Sequence, residues 1–124
     1  MERTPRDICE RTFEFSVCIV NLCTRLDDKP GPGRTLGKQL LRSGTSIGAN
    51  VEEAQGGQSR ADFISKYAIA RKEAREAHYG LRLLAATGLE TETELVPLIQ
   101  ECGELKAILT AIIKKAQSNR DQTR

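Results

Sequence analysis

The chain has no tryptophan, one methionine, one histidine, three phenylalanines and two tyrosines among its 124 residues. The lone histidine, His78 in "EAREAHYG", argues against a di-metal carboxylate bundle, the weakest-supported reading of the chain's glutamates, because such a site needs Glu-x-x-His on two helices. Here Arg75, not a glutamate, stands three residues before it. A Ser-His-Asp triad would depend on the same residue, with no sequence signal for convergence around it. The four cysteines, Cys9, Cys18, Cys23 and Cys102, lack the close pairing of zinc or redox motifs and sit among apolar neighbours, so reduced core residues are expected. No run is long and apolar enough to span a bilayer, and the charged start "MERTPRDICERTFEF" does not read as a signal peptide. A cytoplasmic protein with no membrane partner is the expectation.

Strong net charge is absent too. Nineteen basic and 17 acidic residues leave a formal charge of +2, so any nucleic-acid binding would need locally segregated charge. The length suits one domain over residues 1–124, with one core. No segment alternates like a strand.

What is present is helical periodicity. The expected helices cover about 4–26, 34–55, 59–87 and 93–116. Ile8, Phe15, Ile19, Leu22 and Leu26 mark the first face, with Phe13, Val17 and Val20 expected to widen it. "DDKPGPG" interrupts the pattern, because its prolines and glycines cannot continue a helix. In the second segment Leu36, Leu40, Gly44, Ile47, Val51 and Ala54 follow the three-four alternation of a bundle seam. Ser59 with Asp62 reads as a cap for the third segment, whose stripe includes Tyr67, Ala70, Ala74, Ala77, Leu81 and Leu84 before Gly88 ends it. The last stripe runs through Leu95, Leu98, Cys102, Leu105, Leu109, Ile112 and Ala116. Pro97 favours Thr93 over Thr91 as its cap, since proline is best tolerated near a helix start. Four amphipathic segments and short breaks predict an all-α, antiparallel up-down-up-down four-helix bundle.

The stretch "RSGTSIGANVEEAQGG" invites comparison with a phosphate loop. It lacks the Lys-Ser/Thr pair of a Walker motif, and no strand precedes it. Its glycines instead fall on and beside the helical stripe, where each costs about 1 kcal/mol relative to alanine, so close approach of a neighbouring helix is expected to compensate. Asn50 and Glu53, repeated in spacing by Glu73 and Glu76, suggest a structural polar clasp between the second and third helices. Arg34, Lys38 and Arg42 lie four apart, and no acidic residue occurs from Arg34 through Asn50. Arg71 and Arg75 add charge on the third helix. These five are the candidate nucleic-acid contacts, set against simple solvation of a helix face. No catalytic residue, metal site or cofactor is expected.

From Leu41 to Leu89 the chain shows Arg42, Ser46, Ile47, Asn50 and Glu53, then Gly56 and Gly57, then Asp62, Phe63, Ile69, Ala70 and Glu76. In this pattern it resembles the four-helix-bundle family first noticed as proteins encoded in bacterial 23S rRNA intervening sequences, and the flanking segments match in length. The resemblance implies a left-handed antiparallel bundle that assembles as a homopentameric ring, without enzymatic activity. It also implies kinship with the accessory variability determinant of diversity-generating retroelements, which binds a reverse transcriptase and nucleic acid through a basic surface. The expected role is a non-enzymatic accessory protein that binds RNA or DNA. The alternative is a protein-binding scaffold, for example for a reverse transcriptase.

Overall fold

A computed structural model describes residues 5–57 and 59–122, with side chains described for 8–57 and 59–119. Four helices follow one another: α1 Pro5–Leu26, α2 Pro32–Gln55, α3 Arg60–Thr87 and α4 Glu92–Gln122. No strand occurs among the described residues. Thr4, where the first helix was expected to start, lies outside the described residues. Each helix packs on its sequence neighbours, and α1 also meets α4, whereas the backbones of the diagonal pair α1 and α3 stay apart across the centre. The architecture is therefore an antiparallel four-helix bundle with a square cross-section, in which the α1/α2 and α3/α4 faces point in opposite directions.

Local chemistry sets the helix ends. Gly31, at φ 132°, turns the chain into α2, and Pro32 occupies the first helical turn, where its missing N–H is not needed. Ser59 caps α3 by accepting a hydrogen bond from the Asp62 N–H at 3.1 Å. Gly88 closes α3 in the left-handed region at φ 70°, and the Leu89 N–H reaches back to the Leu84 carbonyl at 3.2 Å. At α4 the structure corrects the expected cap. The side chain of Thr91, not Thr93, accepts from the Glu94 N–H at 3.4 Å, and the Thr91 carbonyl accepts from Glu94 and Leu95. Pro97 then lies in the second turn, which is tolerable because both it and Thr93, whose carbonyl lacks an amide partner there, face solvent. The last helix also runs past Ala116, to Gln122.

Core residues follow the anticipated stripes. Phe15, Ile19 and Leu22 of α1, Ile47 and Val51 of α2, Tyr67, Leu81 and Leu84 of α3, and Leu95, Leu105 and Leu109 of α4 are buried. Each such side chain contributes about 1.5–3 kcal/mol through removal from water. The buried Tyr67 stacks on Phe63, with ring centroids 4.5 Å apart, and its hydroxyl accepts from Gln55 at 3.1 Å. Toward the end of α4 the seam passes from Leu109 to Ile113, which is more deeply buried than Ile112. A straight helix of 3.6 residues per turn drifts off a strict seven-residue repeat, and that drift selects Ile113.

The small residues of α2 do what their positions suggested. A Cβ on Gly44 would sit 2.9 Å from both Cγ atoms of Ile19, and one on Gly48 would sit 3.2 Å from the Thr12 carbonyl oxygen. At the far end, a Cβ on Gly37 would meet Leu26 at 3.2 Å. Thr12, Ile19 and Leu26, seven apart on α1, thus lie against glycines of α2, and the close approach offsets the glycines' helical cost. Thr12 is buried without penalty because its hydroxyl donates to the Ile8 carbonyl at 2.8 Å.

Two other expectations are corrected. Phe13, Val17 and Val20 do not widen the core face: they are 64%, 45% and 44% exposed and form an apolar stripe on the outside of α1. Val20 borders the α1/α2 groove beside Leu41, and Phe13 is the most exposed of the three. Cys18 is exposed and Cys9 half-buried; only Cys23 and Cys102 are core residues, and all four are free thiols. Burial raises the Cys23 thiol to about 11 and that of Cys102 to about 12. Cys102 lies with its sulfur 3.3 Å from the Ala74 carbonyl, linking α4 to α3. No helix among the described residues is long and apolar enough to cross a membrane.

Candidate functional site

The five cationic candidates do not form one patch. Arg34 serves the α1–α2 turn: its Nε and Nη2 donate to the Asp27 carbonyl at 3.1 and 2.8 Å, and Nε lies 3.4 Å from Asp27 Oδ1. Lys38 sits beside Val20 and Leu41 along the α1/α2 groove. Arg42 lies across α2, on the α2/α3 groove, which Arg75 also lines. Arg71 and Arg75 both line a third groove, between α3 and α4.

The charge lining that third groove is of one sign. The groove has a volume of about 510 Å³, and its walls carry Arg71 and Arg75 from α3 with Lys106 and Lys114 from α4. No carboxylate lines it, and none of these four cations makes an ion pair among the described residues. The floor is low because Gly103, Ala107 and Ala111 recur every fourth residue of α4. On α3 the stripe continues from Arg71 and Arg75 through His78 to Arg82, positions that share one helical face. His78 registers this field. Its pKa is lowered from the usual value, first by burial and then by the charges of Lys106 and Arg82.

Lys106 and Lys114 were not among the candidates read from the sequence, where Glu101 and Glu104 stand close to Lys106. In the fold those glutamates face away. Arg11 of α1 donates from Nε to Glu101 at 3.0 Å and from Nη2 to Glu104 at 3.0 Å. Arg25 likewise engages Glu90 at 3.3 Å and Glu94 at 2.7 Å. Two arginines of α1 therefore draw four glutamates toward the α1/α4 seam, leaving the α3/α4 groove without them. The spacing of Lys106 and Lys114, eight residues apart on one helical face, was the available signal.

The polar residues proposed as a clasp are distributed differently. Asn50 donates to the Ser46 carbonyl of its own helix at 2.8 Å, and Glu53 pairs with Lys66 at 3.1 Å. Glu73 places Oε1 in a buried position without a hydrogen-bond partner, and Glu76 lines the α2/α3 groove. No hydrogen bond joins any two of the four. Asn50 is drawn to a carbonyl one turn back, the shortest reach available to it. Among the described residues, no group of three or more His, Cys, Asp or Glu side chains is placed to hold a metal ion.

Comparison with known proteins agrees with this architecture. The profile of the family described as 23S rRNA-intervening sequence protein matches residues 6–111. A crystal structure of a protein of unknown function from the S23 ribosomal protein family of Bacteroides thetaiotaomicron is similar, with a TM-score of 0.80 and 43% sequence identity. The match covers 86% of this chain and 98% of that one. Among curated proteins nothing matches. With the bundle, its small-residue second helix and a profile match over most of its length, this chain belongs to the 23S rRNA-intervening sequence protein family.

Proposed function

We propose that this protein is a non-enzymatic, homo-oligomeric accessory factor that binds RNA or DNA through the phosphate backbone. The α3/α4 groove supports this reading: four cations, Arg71, Arg75, Lys106 and Lys114, line it with no carboxylate and no internal ion pair. Such side chains keep their hydrogen-bonding capacity for phosphate oxygens, and each contact releases condensed counterions. Arg42, which lines the neighbouring groove with Arg75, extends the surface. Arg34 serves the turn and stands outside it.

Self-association would use the opposite side of the square. Phe13, Val17 and Val20 form the exposed apolar stripe there, with Leu41 beside Val20 across the α1/α2 groove. A second copy covering this stripe would remove it from water, and the ring of five implied by the family resemblance would repeat the cationic groove around its circumference. Repetition raises affinity through effective concentration.

The reading is tested by replacing Arg71, Arg75, Lys106 and Lys114 together with glutamate. Binding to structured RNA and duplex DNA is expected to vanish while the helical content and the mass in solution stay unchanged. Undiminished binding would overturn the reading. Loss of RNA with retention of a co-purified protein would separate nucleic-acid contacts from a scaffold role.

A further inference from the structure

Resting on the nucleic-acid reading above, we infer that the α2/α3 groove is a seat for the base of an unpaired nucleotide, stacked on Tyr79. This groove encloses about 380 Å³ and is chemically unlike its α3/α4 neighbour. Leu36, Leu40 and Leu83 make its wall apolar, and Gly80 leaves it open where α3 would otherwise project a side chain. A Cβ at Gly80 would still stand 3.7 Å from Leu40, in ordinary contact, so packing alone does not demand glycine there. Tyr79 borders the opening and is 62% exposed, with no hydrogen bond and no ring contact among the described residues. An exposed, unengaged aromatic beside an apolar recess and two guanidinium groups is the combination that holds single strands, because every base has a π-face and every nucleotide a phosphate.

Polar groups at the rim fit the same occupant. Arg42 and Arg75 stand on opposite helices at the groove, and Glu76 and Gln39 offer an acceptor and an amide to the edge of a base. Arg75 lines both grooves, so a strand whose phosphates follow Arg71 and Arg75 arrives at Tyr79 one helical turn later. A continuous duplex cannot use the seat, since its bases stay stacked within the helix. The inference therefore names the substrate class: nucleic acid with an unpaired nucleotide beside a backbone-contacting segment.

The test compares a labelled oligoadenylate with blunt duplex DNA. Tyr79→Ala is expected to weaken oligoadenylate binding by about 5- to 150-fold and to leave duplex affinity unchanged. Tyr79→Phe is expected to keep the affinity, and Gly80→Phe, which fills the recess, to lower it; Gly80→Ala controls for the change in helix propensity. Tyrosine emission gives a direct readout. The chain has no tryptophan and Tyr67 is buried, so the quench on binding should come from Tyr79 and disappear in Tyr79→Phe. Wild-type affinity in Tyr79→Ala, with Arg71→Glu/Lys114→Glu abolishing binding to both probes, would overturn the seat and leave the phosphate reading standing. No binding of either probe by the wild-type protein would overturn both.

Discussion

The two seams of α1 are held by opposite means. Against α2, helix α1 lays Thr12, Ile19 and Leu26 on glycines, so the contact is close and depends on the absence of side chains. Against α4, the same helix reaches out with Arg11 and Arg25 to Glu94, Glu101 and Glu104, and to Glu90 just before α4, so the contact is wider and depends on the presence of long side chains. The difference shows how a chain of near-neutral charge acquires a cationic face. Glutamates drawn to one side of α4 leave its lysines in possession of the other. The ion pairs thus shape the charge distribution as well as the packing.

The comparison is broken most severely at the glycine seam. Gly44→Leu is expected to cost about 3 kcal/mol or more, because Ile19 is β-branched and cannot swing away from the added atoms. Urea titration measures this loss, and Ile19→Ala in the same chain should recover part of it, giving a coupling energy of opposite sign to the single losses. Full stability in Gly44→Leu would mean that the helices are farther apart than described.

The charged seam is expected to yield less. Glu101→Ala should cost about 1–2 kcal/mol, since the Arg11 side chain is only 14% exposed and already has Nη1 buried without a partner. Arg25→Ala should cost below about 1 kcal/mol, its side chain being 45% exposed. Equal losses at the two arginine sites would erase the distinction between a half-buried and an exposed clasp.

His78 carries the smallest effect. Burial, Lys106 and Arg82 favour its neutral form in the folded state. The unfolded chain therefore takes up this proton first as pH falls. The contribution to stability is complete above the ordinary value of 6.5 and is lost as pH drops from there through the lower folded-state value. His78→Gln should flatten that part of the stability profile, and an unchanged slope would locate the cations elsewhere.

Most of the fold was legible because its signals are local. Ser59 with Asp62, the αL position of Gly88 and the three-four alternation of Leu40, Gly44, Ile47 and Val51 each report structure within a turn or two of themselves. Phe13, Val17 and Val20 were misassigned because periodicity reveals an apolar face without revealing what lies opposite it. Thr91 was passed over because a rule about proline outweighed the Thr-x-x-Glu capping pattern, Thr91 to Glu94, that was also present. The charged groove was only half legible. Whether Lys106 is neutralised by Glu101 depends on Arg11, 90 residues away in the chain, and no local pattern encodes that partnership.

The central claim is that the α3/α4 groove contacts phosphates directly, and counting released counterions tests it most closely. Duplex DNA affinity would be measured over a salt series for the wild-type protein and for Arg71→Gln/Lys114→Gln. If each side chain neutralises one phosphate, the slope of log affinity against log salt should become shallower by about 1.8 per copy engaged, alongside the fall in affinity. An identical slope in both proteins would contradict the claim and place the phosphate contacts, if any, on another face of the bundle.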